Sequence, residues 1–302
     1  MTRARLVTQQ ALVSVVLMGA LVVGAASSAW AGPVILGGDD LTDHGFESGG
    51  VNFEGWLYIQ KALQNLAPSV TRPGASGIAA LGTTSGAGDA GMGIDSAAGV
   101  AGLGVTHYDG DIAINSFFTD LAANSVNPAI IWLAGTDASG DLEPDEGAAL
   151  TANAASINSF VASGGGLMSH GSGSDAYGWL STLLPGLSNV DDCDSAGATL
   201  TPAGVAAFPG LSNSDIDDNA GPCHSHFEGN FGGLTTLALD GQDRSYIIGG
   251  GQGTLIQCGQ PGQPACPSHE GAVIPEPSSV LLFGLGGLGA GLMRQRRTKR
   301  LK

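Results

Sequence analysis

The stretch Ala129-Ile-Ile-Trp-Leu-Ala134 is an unbroken apolar run that leads into an acidic loop. A run of this kind is typical of a strand buried on both faces, as in a parallel sheet. Segments with helical apolar spacing flank it, at Asp111–Ala123 and Pro144–Ala162. Pro144 suits the first turn of a helix, and the glycines at 164–166 end that helix. The run therefore predicts the centre of a βαβ unit.

The same alternation continues on both sides of this unit. Further strands are predicted at Val34–Gly37, Ile78–Leu81, Leu103–Tyr108 and Leu167–Ser169. We predict a helix at Glu54–Ala67 that ends at Pro68, and a loop with one helical turn in the Gly-, Ala- and Ser-rich residues 82–102. A short helix before Pro209 is followed by predicted strands at Ser225–Phe227, Leu234–Leu239 and Ser245–Ile248. This order indicates an α/β fold with three layers, a mostly parallel sheet and a mixed edge.

The segment Ile157–Gly171, with the sequence INSFVASGGGLMSHG, resembles the helix–glycine–strand–histidine segment of ThuA-like domains. Those domains belong to the class I glutamine amidotransferase-like fold, so the resemblance implies flavodoxin-like wiring of the sheet. Enzymes of that fold place a nucleophilic cysteine at the turn after this strand. Here the turn contains Ser169, His170 and Gly171, so the resemblance implies that glutamine-hydrolysing chemistry is absent.

The N-terminus predicts a cleavable signal peptide at residues 1–31. Arg3 and Arg5 precede an apolar run from Ala11 to Ala26, and Ala29-Trp30-Ala31 is the small-x-small pattern that signal peptidase requires. The alternative, a transmembrane anchor, is disfavoured because the run is short and the small-residue site follows directly. We therefore predict an exported α/β domain at residues 32–257 and a linker at residues 258–274.

The C-terminus has three parts in a fixed order. Pro275-Glu276-Pro277 comes first, the Gly-rich apolar stretch Ser278–Met293 follows, and an Arg- and Lys-rich cluster ends the chain. This order resembles the PEP-CTERM sorting signal, which implies recognition by an exosortase-type protease. The apolar stretch predicts a short transmembrane segment with its basic end in the cytoplasm. Residues 275–302 would then hold the chain at the inner membrane until cleavage releases it to the cell surface or matrix. Both chain ends are expected to be disordered or helical.

Charge is distributed very unevenly. All but one of the 27 acidic residues and only three of the 11 basic residues lie between residues 32 and 274, which gives that segment a net charge of −23. Nucleic acid is excluded as a partner, because phosphate contacts need clustered Lys and Arg. The field would attract divalent cations, although solvation of an exported protein explains the same charge.

Four cysteines lie in the exported part: Cys193, Cys223, Cys258 and Cys266. Disulfides persist outside the cytoplasm, and four cysteines allow three pairings. Cys193–Cys223 with Cys258–Cys266 is the sequential choice.

Polar residues follow several predicted strands and should gather at the carboxyl edge of the sheet. A divalent metal site is one hypothesis, with the candidate ligands Asp39, Asp40, His44, His170, His224 and His226. Asp43, Glu228 and the loop Asp137-x-Ser139-x-Asp141-x-Glu143 add oxygen atoms nearby. A second hypothesis makes Ser172 a nucleophile with His224 or His226 as its base. The alternatives are exposed loop residues, satisfied core histidines and a flexible Gly/Ser turn.

These patterns predict an exported, non-catalytic surface or matrix protein whose sheet edge binds a small ligand, a glycan or a cation. Surface polysaccharide is a candidate partner, beside signal peptidase and the exosortase-type protease. The alternative is a metal-dependent or Ser/His hydrolase at the same edge. An enzyme would need His170, His224 or His226 and a carboxylate within a few ångströms of one another.

Overall fold

A computed structural model describes residues 32–136, 141–217 and 222–250 of the chain. These residues belong to one compact unit, Met1–Pro264. The second unit, Ala265–Lys302, lies outside the described residues, as do the signal peptide, Asp137, Ser139, Cys258, Cys266, the Pro-Glu-Pro triplet and the predicted transmembrane segment. Within the described residues, no helix is both long and apolar enough to span a membrane.

The domain is built on an eight-stranded sheet with the order β5-β4-β6-β7-β1-β12-β11-β9. Its first five members are parallel, and the last three are joined by antiparallel pairing. The strands of this sheet are β1 (Val34–Gly37), β4 (Ile78–Leu81), β5 (Val105–Tyr108), β6 (Ile130–Leu133), β7 (Gly166–Ser169), β9 (Thr199–Leu200), β11 (Thr235–Leu239) and β12 (Ser245–Gly250). Two small sheets pair β2 (Gly45–Ser48) with β3 (Val51–Phe53), and β8 (Leu187–Val190) with β10 (His226–Gly229).

Eight α-helices connect the described strands: α1 (Glu54–Ser69), α2 (Gly88–Ala101), α3 (Asp111–Ala122), α4 (Pro144–Ala152), α5 (Ala154–Ala162), α6 (Gly173–Tyr177), α7 (Leu180–Leu183) and α8 (Pro202–Ala207). From β1 through β4 to β5 the chain moves towards one edge of the sheet, and from β5 through β6 to β7 it returns. Because crossover connections are right-handed, α1 and α2 cover one face while α3, α4 and α5 cover the other. The α/β architecture with a parallel centre is therefore confirmed.

The order of the parallel strands is compatible with a flavodoxin-like sheet. Counted from β4, it reads 2-1-3-4-5, and β1, the first strand of the chain, takes the fifth place. The chain direction reverses between β4 and β6, and ligands of such sheets bind in the crevice at this switch point, beyond the carboxyl ends of the strands.

The apolar run at 129–134 is confirmed as the buried centre of the sheet. All four residues of β6 are fully buried, and the residues of β1, β4 and β7 are buried as well. The predicted positions of β1, β4, α3 and α8 are confirmed to within one residue.

The prediction that residues 82–102 form a loop with one helical turn is wrong, because 14 of them form α2. Glycines oppose a helix by propensity, but here they permit close packing. A Cβ at Gly93 would lie 2.9 Å from the indole nitrogen of Trp56, and one at Gly91 would lie 2.1 Å from the Thr84 carbonyl oxygen. Tertiary packing thus overrides the local preference.

Two helix boundaries also differ from the prediction. Pro68 lies inside α1, which continues to Ser69. Proline has no N–H to donate to the carbonyl four residues earlier, but that carbonyl belongs to the exposed Gln64, so the helix tolerates the loss. The predicted helix 144–162 is divided at Asn153 into α4 and α5. Pro144 does begin α4, where Glu143 and Glu146 form a capping box.

The β2–β3 hairpin was not predicted, although the turn Gly49-Gly50 is a recognisable hairpin signal. Both glycines have positive φ, at 62° and 82°. Asn52 points inwards, while the rings of Phe46 and Phe53 stack at 5.0 Å on the solvent side. The hairpin therefore presents its apolar face to solvent.

Candidate functional site at the carboxyl edge of the sheet

Two consecutive carboxylates, Asp39 and Asp40, follow the end of β1. The amide of Gly171 donates to the Asp39 carbonyl at 2.6 Å, and the amide of Asp40 donates to the Pro222 carbonyl at 3.0 Å. On the Pro222 side, the Cys193–Cys223 disulfide anchors the segment, with Cα atoms 5.7 Å apart. The edge is thus held between β7 and a loop that is pinned by the disulfide.

Asp39 and His170 form a pair that is completely buried. Nδ1 of His170 lies 2.7 Å from Oδ1 of Asp39, and both side chains are 0% exposed. The indole N–H of Trp132 donates to Nε2 of His170 at 3.1 Å. Since Nε2 accepts this bond, the proton of the neutral ring lies on Nδ1 and is donated to Asp39. Neither nitrogen is available to a substrate or a metal.

The carboxylate of Asp39 is closely packed, and its Oδ2 has no hydrogen-bond partner. Its Oδ1 also accepts a hydrogen bond from the amide of Leu41 at 3.2 Å. A Cβ at Gly37 would lie 1.7 Å from its Oδ2, so only glycine fits there. The hydroxyl of Tyr177 donates to the Gly37 carbonyl at 2.7 Å and closes the site from the other side.

Asp40 contacts two histidines nearer the surface. Its Oδ2 lies 2.9 Å from Nε2 of His224 and 3.3 Å from Nε2 of His44. The side chain of His224 is 32% exposed, whereas that of Asp40 is 7% exposed. Burial alone would raise the pKa of Asp40, but hydrogen bonds and charge from His224 and His44 lower it below its usual value.

Asp43 lies beside further acidic residues on the same edge. Burial, followed by the charges of Asp141, Asp40 and Asp89, raises the pKa of Asp43 to about 7, although His44 opposes the shift. Asp141 and Thr42 are both buried. The cluster of Asp40, Asp43 and Asp141, which we call the acidic edge, therefore concentrates negative charge at the carboxyl edge of the sheet.

The remaining predicted residues lie apart from this cluster. His226 is 3% exposed, with Nδ1 2.6 Å from the Asp192 carbonyl oxygen and Nε2 3.1 Å from Oε1 of Glu228. His224 precedes β10 instead of lying on it, so the two histidines have different partners. Ser172 contacts a different residue: its backbone amide donates to Oγ1 of Thr136 at 3.1 Å.

Each of the five histidines in the described residues lies within 3.3 Å of a carboxylate. His107, which was not singled out from the sequence, pairs with Asp95 at 2.8 Å. His170, His224 and His226 use three different carboxylates, namely Asp39, Asp40 and Glu228. The structure brings Asp39, Asp40, His44, His170 and His224 together at one edge, where His170 pairs with Asp39 while His44 and His224 share Asp40.

Among the described residues, one trio has ligand atoms that all lie within 4.8 Å of one another: Cys193, Cys223 and Asp240. Its sulfurs are joined in the disulfide and cannot act as thiolate ligands. Asp240 also binds Arg244, with Oδ2 2.8 Å from a guanidinium nitrogen. This trio is therefore structural. The predicted histidine ligands and the acidic edge are spread more widely.

Three important residues were not identified as a group from the sequence. Trp132 was assigned only to the core, although a buried indole N–H needs an acceptor. In the parallel register Trp132 lies opposite Met168, two residues before His170, so its reach to that ring follows from the sheet. Thr42 and Asp141 meet the first loop only through tertiary folding.

Two surface cavities lie away from this edge. One of about 460 Å³ is lined by residues at the amino ends of β4 and β5, including Gly77 and Gly104. The other, of about 320 Å³, lies between α3 and α5 beside Arg72. Neither includes a residue of the acidic edge.

Comparison with known proteins identifies one part of the chain. Residues 273–297 match the PEP-CTERM protein-sorting motif. No curated protein and no solved structure is significantly similar to the chain. The resemblance of the α/β domain to ThuA-like domains is supported by no family match, so it stays a prediction. The motif at residues 273–297 indicates an exported, exosortase-processed surface protein.

Proposed function

We propose that the chain is an exported surface or matrix protein whose α/β domain binds a ligand and does not catalyse a reaction. Signal peptidase would remove residues 1–31, and an exosortase-type protease would cut near Pro275-Glu276-Pro277. A transient membrane anchor at residues 275–302, after a linker at 258–274, would hold the domain until release. The acidic domain would then face the surface polysaccharide.

The observation that carries the non-catalytic proposal is the environment of His170. This residue occupies the turn where enzymes of the fold that the chain resembles carry their nucleophile, and it is 0% exposed with hydrogen bonds at both ring nitrogens. A general base must reach the proton that it removes. His170 reaches only Asp39 and Trp132, so its position supports a structural role.

The hydrolase alternative rests on a different residue, His224. Its ring is 32% exposed and lies 2.9 Å from Asp40, an arrangement that can orient a general base. Hydrolysis of a model ester that disappears in His224→Ala, but survives in His226→Ala, would favour this alternative over the binding role.

The sorting proposal is tested with two glutamate variants of the full chain. We expect Glu276→Ala to accumulate at unprocessed size in the membrane fraction, because it removes the central residue of the triplet. Glu270→Ala, six residues upstream, is the matched control and should be processed and released like the wild type. Fractionation and immunoblotting measure both. Normal release of Glu276→Ala would overturn the proposal.

A further inference from the structure

Thr42 and the acidic edge contain buried oxygen atoms that have no hydrogen-bond partner. They are Oδ1 of Asp40, Oγ1 of Thr42 and Oδ1 of Asp43. Asp40 is 5% exposed and Thr42 is 0% exposed, so both side chains are largely removed from bulk solvent. Leaving such groups unsatisfied is costly, and more so for a charged carboxylate.

Asp141 faces the same region from the loop after β6. A Cβ built at Gly135 would lie 3.0 Å from Oδ2 of Asp141 and 3.5 Å from Oγ1 of Thr42. Both oxygens therefore border the small space that glycine leaves beside its own backbone. The amide of Leu142 donates to the Gly135 carbonyl at 2.8 Å, which fixes the start of the loop that carries Asp141.

Two of the three described Lys and Arg side chains are engaged elsewhere. Arg244 pairs with Asp240 and Asp192, and Arg72 bonds to Asn127 and Ser163. The nearby groups that can carry positive charge are His44 and His224, and both contact Oδ2 of Asp40, on the other side of that carboxylate from Oδ1. The negative charge of Asp141 acts on Asp43 as repulsion.

The place of these oxygen atoms in the fold and their chemistry both favour a cation as the ligand. Thr42 and Asp43 lie on the turn after β1, which reaches the loop after β6, and Asp89 at the start of α2 lies close enough to act on Asp43. The loop after β6 and the start of α2 after β4 border the switch point of the sheet, where ligands of such folds bind. Carboxylate and hydroxyl oxygens are the donors that Ca²⁺ and Mg²⁺ prefer, whereas zinc favours nitrogen and sulfur.

We propose that Asp40, Thr42, Asp43 and Asp141 form a binding site for one hard divalent cation, with Ca²⁺ as the preferred ion. The carboxylates are spread more widely than bound ligands would be, because they repel one another. Binding of the cation therefore draws the Asp40–His44 turn towards the loop after β6. This inference goes beyond the proposed function and does not depend on processing of the tail.

The test is calorimetric titration of the full chain, purified with its disulfide intact and freed of metal by EDTA and dialysis. We expect one Ca²⁺ per chain, with a dissociation constant of about 10⁻⁴ to 10⁻³ M or tighter, as in extracellular modules. Asp43→Asn and Asp141→Asn should each weaken binding about tenfold or more, because each removes a charged ligand. Thr42→Val, which keeps the side-chain shape, should weaken it less.

Asp191→Asn is the matched control, since Asp191 is an exposed acid that is not one of the four proposed ligands. It should leave the affinity within about twofold of the wild type. Equal losses in Asp191→Asn and Asp43→Asn would mean that the domain attracts ions only through its net charge, which overturns the site. Absence of saturable Ca²⁺ binding would overturn it too. Tight Zn²⁺ binding that is lost in His224→Ala, without Ca²⁺ binding, would replace it with a histidine site.

Discussion

Asp39 and Asp40 are neighbours in the chain, yet the fold gives them opposite roles. Asp39 is fully buried and accepts a hydrogen bond from Nδ1 of His170. The other ring nitrogen of His170 accepts a hydrogen bond from Trp132. Asp40 lies at the solvent side between two partly exposed histidines, and its Oδ1 has no hydrogen-bond partner. Each carboxylate has one buried oxygen without a hydrogen-bond partner, Oδ2 of Asp39 and Oδ1 of Asp40. Asp39 holds His170 in the core, whereas Asp40 contacts the partly exposed His224 and His44.

This difference teaches which predicted site residues can act on a ligand. A polar group whose hydrogen bonds are all made in the core contributes to stability and specificity. One that is buried without partners is a candidate for a missing ion. The histidine after β7, which carries the resemblance to an enzyme fold, belongs to the first kind. Three single atoms of the acidic edge and Thr42 belong to the second kind: Oδ1 of Asp40, Oγ1 of Thr42 and Oδ1 of Asp43.

The largest expected effect comes from breaking the buried pair. Asp39→Ala should lower the free energy of unfolding by about 3–5 kcal/mol, because it leaves His170 in the core without its acceptor. Asp40→Ala should cost less than about 2 kcal/mol in EDTA, since it also relieves repulsion with Asp43. Urea denaturation measures both. Equal losses would show that the two carboxylates have the same structural role.

Removing the disulfide should have the next largest effect. Cys193 and Cys223 are 30 residues apart, and a loop of that length corresponds to about 3–4 kcal/mol of stability. The bond also holds Pro222–Ser225 against Asp40, so reduction should release His224 from Asp40 while Asp39 keeps His170. Histidine NMR resonances before and after reduction distinguish the two rings. An unchanged His224 resonance would contradict this role of the bond.

The smallest effect concerns pH. The pKa of Asp43 is about 7 in the folded state and near 4 when unfolded, so the folded state binds more protons between these values. This residue therefore makes stability fall as pH rises from about 4 to about 7, by an amount that partial exposure reduces. In EDTA, Asp43→Asn should flatten the decline relative to Asp191→Asn. A decline as steep as in the control would contradict the assigned shift.

The main elements of the sheet were predictable because their signals are local. The continuous apolar runs of β1, β4 and β6 predict strands buried on both faces, and the apolar stripe of α3 predicts its helix. The glycine-rich α2 was missed because its glycines fit a neighbouring tryptophan and carbonyl, a reason that no local pattern contains. The division of α4 from α5 at Asn153 and the proline inside α1 were not predicted. Both depend on which residues are buried and which are exposed in the folded chain, and the local pattern does not show that.

The candidate site was predictable as a place but not as an arrangement. Parallel strands deliver Asp39, Asp40 and His170 to one edge, so their approach follows from the topology. Their pairing does not follow from the topology, because it depends on Trp132 of the adjacent strand. The indole N–H of Trp132 donates to Nε2 of His170, which leaves Nδ1 for Asp39. The link between Thr42 and Asp141 joins residues 99 positions apart around a single glycine, Gly135.

The sequence by itself determined the sorting motif, the charge of the middle segment and the core strands, since each depends on residues that are close together in the chain. Only the tertiary structure decided which partners each carboxylate has. The physical reason is that hydrogen-bond partners and buried volume come from distant segments. The free energy of a charged group therefore depends on neighbours that its own stretch of sequence does not contain.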